Sequence, residues 1–130
     1  MSARGPLPTV SIVVPAYNEE QAIRSCVEAA LAQTVPAHEI IVVDNRSTDR
    51  TAEIVAGLQA ANPDAPLRLL RQFDEQGLVP TRNLGLDSAT GEVIGRIDAD
   101  SVLEPTWVAE VQKAFADPTV AAATGPVLYY

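Results

Sequence analysis

The chain has 130 residues, a formal net charge of -8 and an apolar fraction of 47%. This length predicts one domain with a sizeable core, and so acidic a chain lacks the basic face that nucleic-acid binding requires. Because Cys26 is the only cysteine, an internal disulfide and a multi-cysteine zinc site are excluded, which favours a reducing compartment. With no signal peptide and no apolar run of membrane-spanning length, a cytoplasmic protein is expected.

Short apolar runs alternate with amphipathic helical segments from the start of the chain. After a flexible lead-in over residues 1–9, the β-branched run at 10–14 predicts a buried strand that Pro15 ends. Asn18 is predicted to cap the following helix, with Gln21 as its capping-box partner. The next apolar run begins a second unit of the same kind.

The alternation continues along the rest of the chain. It predicts further strands at 40–43, 67–70, 93–97 and 120–123, and further helices around 52–58, from Pro80 to Gly91 and from Pro105. Strands that alternate with helices of this length favour parallel pairing through crossovers. We therefore predict an α/β fold, a three-layer sandwich around a mostly parallel, Rossmann-like sheet.

Two carboxylates, Asp98 and Asp100, follow the fourth predicted strand. Residues i and i+2 of an extended chain project to the same side, so both side chains aim at one point. Such a pair repels unless a cation lies between the two groups. Mg²⁺ and Mn²⁺ sites use one or two carboxylates together with water and ligand phosphates. The alternative is a polar strand end whose side chains cap the next helix.

Polar residues also follow the first two predicted strands, where ligands bind in parallel sheets. Asp44 accepts hydrogen bonds only, so it suits a base N–H of uracil or guanine and disfavours cytosine; an Asx turn is the alternative. Tyr17 is a candidate for flanking a base, and Arg82 for pairing with a phosphate. Structural roles for these two residues are packing on the next helix and simple exposure, respectively. The chain carries neither a dinucleotide fingerprint nor a Walker A motif.

Six segments resemble, in order and spacing, a family 2 glycosyltransferase of the GT-A nucleotide-sugar fold; they are residues 10–20, 41–44, 47–51, 82–85, 89–92 and 98–100. The resemblance implies a nucleotide-sugar site formed by Pro15, Ala16, Tyr17, Asn18, Glu19, Asp44, Arg82, Asp98 and Ala99. It also implies that Asp100, together with Asp98, holds Mg²⁺ or Mn²⁺. The family pattern usually has Asp and Gly where this chain has Asn45 and Arg46.

The implied reaction is metal-dependent transfer of a sugar from a nucleotide-sugar donor, a UDP-sugar, to an acceptor hydroxyl with inversion. The acceptor, whether saccharide, lipid or protein, and the oligomeric state stay open. In the family the general base lies on a later segment, past residue 130. We therefore expect residues 10–130 to be a truncated donor-binding part without its acceptor-side half, weak or inactive alone. Missing segments would allow association with the cytoplasmic face of a membrane.

Three alternatives compete with this interpretation. One is a non-catalytic nucleotide-binding or regulatory copy of the same domain. Another is a haloacid dehalogenase-type phosphatase, because residues 97–103 resemble its nucleophile motif, although that family places the motif on its first strand. A response-regulator receiver requires paired acids at the end of the first strand, where Pro15 stands.

Overall fold

The computed structural model describes residues 7–73, 77–116 and 128–129. Its sheet has the strand order β3-β2-β1-β4-β5, in which the first four strands of the chain are parallel and β5 is antiparallel to β4. The predicted mostly parallel α/β sheet is confirmed. The strands are β1 Val10–Ala16, β2 Glu39–Asp44, β3 Leu67–Arg71, β4 Val93–Arg96 and β5 Leu128–Tyr129; the helices are α1 Ile23–Leu31, α2 Thr51–Ala61, α3 Leu78–Ser88 and α4 Trp107–Phe115.

One face of the sheet packs against α1, α2 and α4. Alternate residues of β1, namely Val10, Ile12 and Val14, share a buried cluster with apolar side chains of these three helices. The alternation follows from the pleat of a strand, which sends successive side chains to opposite faces. Cys26 of α1 belongs to this cluster, as its place on the apolar stripe of the helix predicts.

The opposite face packs against α3. A Cβ on Gly85 would lie 2.4 Å from Val13 Cγ1 and 3.1 Å from Val43 Cγ2, so α3 lies closer to β1 and β2 than a side chain at this position permits. Helices therefore cover both faces, and the predicted three-layer arrangement is confirmed.

Pro15 does not end β1, which continues to Ala16 in register with Asp44. Val13 O accepts from Ile97 N, and Ala16 O accepts from Asn45 N, so the backbone of Pro15 faces the β4 side. The β1–β4 ladder ends at the Val13–Arg96 pair. No ladder bond therefore needs the N–H that proline lacks, and the strand continues through it.

The predicted capping box at Asn18 and Gln21 is wrong. Helix α1 begins at Ile23, after Ala22, whose side chain provides no cap. Asn18 instead has a left-handed backbone (φ 50°), and its Oδ1 accepts a hydrogen bond from Thr48 N at 2.8 Å. Asn18 Oδ1 is thus bonded to a residue 30 positions along the chain, and it does not cap α1.

Other boundaries shift by a few residues. Helix α3 ends at Ser88 rather than at Gly91, and α4 begins at Trp107 rather than at Pro105. The strand predicted at 120–123 lies outside the described residues, as do residues 1–6 of the predicted lead-in. In the part of the chain that the structure describes, no helix has the length and apolar character needed to cross a membrane.

The order of the strands places a topological switch between β1 and β4. Strands β2 and β3 lie on one side of β1, and β4 lies on the other side. The carboxyl ends of β1 and β4 therefore lie side by side where the strand order reverses, with a crevice outside them. In open parallel sheets, ligands bind in such crevices.

Candidate functional site

A cleft of about 720 Å³ opens at this switch point. The loop after β1 and the loop after β4 form its two sides, and the segments after β2 and at the start of α3 complete it. The lining residues are Pro15, Ala16, Tyr17, Glu19, Asn45, Gly77, Thr81, Asp98, Ala99 and Asp100. Its volume falls in the range that small-molecule sites commonly have.

The predicted convergence of the first and fourth strand ends is observed. Tyr17 and Glu19, from the loop after β1, line the same cleft as Asp98 and Asp100, from the loop after β4. Both aspartates are exposed, and 69% of the Asp98 side chain is accessible. Arg96 Nη1 lies 3.4 Å from Asp98 Oδ1 and offsets part of the negative charge. The cleft is therefore acidic and open to solvent.

The thiol of Cys26 responds to this accumulated negative charge. Burial raises the pKa of Cys26, and the charges of Asp100, Glu19 and Asp98 raise it further, to about 12. Cys26 Sγ also lies 3.7 Å from the backbone oxygen of Asp98. The negative charges of these three acids thus reach the buried Cys26 thiol. A cation in the cleft would offset their effect on its pKa.

The donor set fits a hard divalent cation that a ligand helps to hold. Asp98 and Asp100 offer carboxylate oxygens on one wall of the cleft. Among the residues that the structure describes, no three His, Cys, Asp or Glu side chains form a metal site by themselves. Two carboxylates completed by water and phosphate oxygens are the usual protein contribution to a Mg²⁺ site.

Asp44 lies next to the cleft but does not line it. Its side chain is fully buried, and neither carboxylate oxygen accepts a hydrogen bond from the described residues. Arg71, its register partner on β3, places Nε 3.3 Å from Asp44 Oδ2, and the guanidinium lies 5.3 Å from the Phe73 ring centre. A buried carboxylate without hydrogen bonds is unusual, and a donor from a ligand would relieve it.

Two other residues of the predicted nucleotide-sugar site also fall outside the cleft lining. Asn18 Oδ1 accepts its hydrogen bond from Thr48 N. Arg82 is half-buried on α3, and its Nε is buried with no hydrogen-bond partner among the described residues. The structure thus brings together Pro15, Ala16, Tyr17, Glu19, Asp98, Ala99 and Asp100, and it leaves Asn18, Asp44 and Arg82 outside that lining.

Three lining residues, Asn45, Gly77 and Thr81, were not predicted from the sequence. Asn45 Oδ1 accepts from Gly77 N at 2.6 Å, and its Nδ2 donates to Gln72 O at 3.0 Å. Thr81 Oγ1 donates to Gly77 O at 2.6 Å. The only sequence signal was the place of Asn45 directly after a strand-end acid; nothing local marks Gly77 or Thr81.

The mostly parallel sheet with helices on both faces defines a Rossmann-like α/β domain with an acidic cleft at its switch point. Residues 11–130 match the model of the family described as Glycosyl transferase family 2. The chain therefore belongs to glycosyl transferase family 2, as its sequence motifs indicate, and the phosphatase and receiver alternatives receive no support.

Relatives and solved structures agree with this assignment. The chain is 35% identical over 104 residues to the glycosyltransferase AglE of Haloferax volcanii, covering 78% of this chain and 34% of AglE. The mannosyltransferase PcManGT of Pyrobaculum calidifontis, solved with GDP-Man and Mn²⁺, superposes with a TM-score of 0.84 at 34% identity. TarS 1–349 of S. aureus, solved with UDP-GlcNAc, gives a TM-score of 0.71 at 26% identity.

The alignments with these two structures cover 90% and 81% of this chain, but 35% and 30% of theirs. The chain thus spans about a third of the length of each of these three proteins. Both structural neighbours have the GT-A fold, which confirms the fold predicted for this chain.

Proposed function

We propose that this domain binds the nucleotide diphosphate of a sugar donor in the cleft between β1 and β4, as part of an inverting glycosyltransferase. The observation that carries the proposal is the convergence of Glu19, Asp98 and Asp100 on one open cleft at the switch point. A cluster of exposed acids repels an anionic ligand unless a cation joins them, and a diphosphate with Mg²⁺ or Mn²⁺ meets that condition.

Asp98 and Asp100 would hold the cation, with Asp98 and Ala99 also close to the ribose. When bound, the cation would act as a Lewis acid on the diphosphate leaving group. Mn²⁺ in the PcManGT complex and in a glucosyl-3-phosphoglycerate synthase complex supports a divalent cation in related proteins. The negative charges of Asp98 and Asp100 would hold the cation in place.

The base would lie toward β1 and β2. Tyr17 is 49% exposed and lines the cleft, so its ring is available to flank a base. The buried Asp44 carboxylate has unused acceptor capacity and would read an N–H of the base once a ligand reaches it. Uracil is the base that we favour; guanine presents a comparable N–H, and PcManGT binds GDP-Man.

The proposal includes two further roles, a cationic side chain near the phosphates and a general base for the acceptor. Arg82 would approach a phosphate or order the base-binding loop, because its buried Nε lacks a partner among the described residues. Inverting transfer also needs a general base beside the acceptor hydroxyl. We propose that this base and the acceptor site belong to other parts of the enzyme, so that these residues act as its donor-binding part.

A nucleotide panel tests the proposal. The melting temperature of the chain is measured with UDP, GDP, CDP and dTDP, each with and without Mn²⁺. We expect UDP with Mn²⁺ to give the largest increase, because ligands that bind only the folded state stabilise it. Asp100→Ala should remove the metal-dependent part of that increase.

Asp64→Ala is the matched control, since Asp64 is an exposed acid in the turn before β3, away from the cleft. It should leave the response to UDP and Mn²⁺ unchanged. Equal increases with and without Mn²⁺, or an unaltered response in Asp100→Ala, would refute the assigned role of Asp100.

A non-catalytic, nucleotide-binding copy of the domain would give the same binding results. Transfer assays separate the two cases, with saccharide, lipid and protein acceptors offered to the chain alone and to a longer form of the protein. We expect weak or no transfer by these 130 residues. Efficient transfer by them would show that the general base lies within this chain.

A further inference from the structure

The loop after β1 is held by side chains that do not line the cleft. Three consecutive backbone N–H groups of this loop each donate to a side-chain oxygen of residues 47–51. Asn18 N donates to Ser47 Oγ at 2.9 Å, Glu19 N to Thr51 Oγ1 at 2.9 Å and Glu20 N to Asp49 Oδ2 at 3.2 Å. We call Ser47, Asp49 and Thr51 the loop clamp.

Reciprocal bonds complete the connection between the two loops. Arg50 N donates to Glu20 Oε2 at 3.1 Å, and Thr48 N donates to Asn18 Oδ1 at 2.8 Å. Thr51, which is fully buried, donates its hydroxyl hydrogen to Asp49 Oδ1 while its oxygen accepts from Glu19 N. Thr51 thus both donates and accepts, whereas Ser47 Oγ and the Asp49 carboxylate accept from the loop after β1.

The clamp surrounds a residue with a left-handed backbone. Asn18 has φ 50°, in the left-handed region that L-residues other than glycine, asparagine and aspartate rarely adopt. Such conformations persist where surrounding contacts over-determine them, commonly at functional sites. On either side of Asn18 are Tyr17 and Glu19, which line the cleft.

The electrostatic state of Asp49 agrees with this role. Burial acts to raise the pKa of Asp49, but hydrogen bonds from the Thr51 hydroxyl, Thr51 N and Glu20 N outweigh it, and the pKa is lowered. The carboxylate thus stays ionised and keeps accepting from both loops at neutral pH.

We propose that Ser47, Asp49 and Thr51 are positioning residues for the donor site: they hold the Tyr17–Glu19 backbone in its ligand-binding conformation without contacting the ligand. This inference rests on the proposed function, because it assigns nucleotide binding to the cleft. Loss of a clamp bond lets the loop populate other conformations. If the competent conformation falls to about a tenth of the population, the apparent affinity falls about tenfold.

The test measures the dissociation constant of UDP with Mn²⁺ by calorimetry on the full chain, well below the melting temperature. Thr51→Val preserves the shape of the side chain and removes its hydroxyl; Thr51→Ser preserves the hydroxyl. We expect Thr51→Val and Ser47→Ala to weaken binding about tenfold and Thr51→Ser to stay within about twofold of the unaltered chain. A purely stabilising role would lower the melting temperature of Thr51→Val and leave its dissociation constant unchanged, which would overturn the proposal.

A double-mutant cycle shows whether Thr51 acts through the loop. In a Tyr17→Ala background, Thr51→Val should cost less affinity than it does in the unaltered chain, because the side chain that it positions is gone. Equal costs in the two backgrounds would contradict positioning of Tyr17. If the unaltered chain itself binds no nucleotide, the proposed function fails, and with it this inference; if it binds and Thr51→Val binds equally well, only the inference fails.

Discussion

Strand β2 begins and ends with a buried carboxylate, each beside an arginine of β3, and the two groups differ in their hydrogen bonds. Glu39, at its start, accepts from Ser11 Oγ at 2.7 Å, Thr90 N at 2.6 Å, Thr90 Oγ1 at 3.0 Å and Arg68 Nη1 at 3.0 Å. Asp44, at its end, accepts no hydrogen bond from the described residues. The carboxylate at the start of β2 is thus satisfied by hydrogen bonds within the fold, and the one at its end is not.

Positive backbone φ angles follow the same division. The described residues with positive φ are Asn18, Arg46 and Gly77, and each lies in a loop at the carboxyl ends of the strands. Strained backbone and unsatisfied polar groups are characteristic of sites where a ligand completes the contacts. The hydrogen-bonded carboxylate of Glu39 thus lies at the opposite end of β2 from these loops.

The largest expected effect concerns Glu39. Replacing it with alanine leaves Ser11 Oγ and Thr90 N without their buried acceptor, so we expect a loss of about 3 kcal/mol in the free energy of unfolding. Chemical denaturation measures this loss. Nucleotide affinity should stay within about twofold, because Glu39 lies at the other end of the sheet; Glu28→Ala, an exposed helical glutamate, is the control.

The same carboxylate predicts a pH dependence. Burial acts to raise the pKa of Glu39, but the hydrogen bonds from Thr90, Ser11 and Arg68 outweigh it and lower the pKa from 4.5 to about 2. Between these two values the unfolded state binds more protons, so stability is present above 4.5 and is lost as pH falls toward 2.

We expect the unaltered chain to lose about 2 kcal/mol more than Glu39→Gln over that interval. Thermal melts of both proteins at closely spaced pH values measure the difference. Parallel curves for the two would show that Glu39 does not carry this dependence.

At the other end of β2, Asp44→Asn should change binding rather than folding. The substitution preserves shape, and we expect the free energy of unfolding to change by no more than about 1 kcal/mol. UDP affinity should fall about tenfold, roughly 1.4 kcal/mol, and CDP should gain relative to UDP because an amide N–H can donate to cytosine.

Asp87→Asn, an exposed acid on α3, is the control. A large loss of stability in Asp44→Asn without any change in nucleotide preference would show that Asp44, like Glu39, acts in folding rather than in binding.

The smallest expected effect concerns Arg46, in the loop after β2. Arg46 has φ 59°, where the family pattern usually has glycine. Arg46→Gly should stabilise the fold by about 0.5 kcal/mol, the relief of left-handed strain less the entropy of a more flexible unfolded chain. Arg24→Gly, on helix α1, should destabilise it by about 1 kcal/mol. Destabilisation by both substitutions would show that the Arg46 side chain matters more than its backbone.

Local pattern in the sequence determined the strands, their alternation with helices and the placement of Asp98 and Asp100 at one strand end. These features depend on periodicity over a few residues, which a sequence displays directly. The assignment to glycosyl transferase family 2 followed from motifs of the same short range.

Only the tertiary structure decided how distant residues share hydrogen bonds. Asn18 reads locally as a helix cap, yet its partner is Thr48; Pro15 reads as a strand end, yet β4 stops short of it. The Glu39 contacts join residues up to 51 positions apart, and the loop clamp joins two connections 29 to 32 positions apart. Such pairings depend on which loops the sheet order brings together, and this order is a property of the whole chain rather than of any single segment.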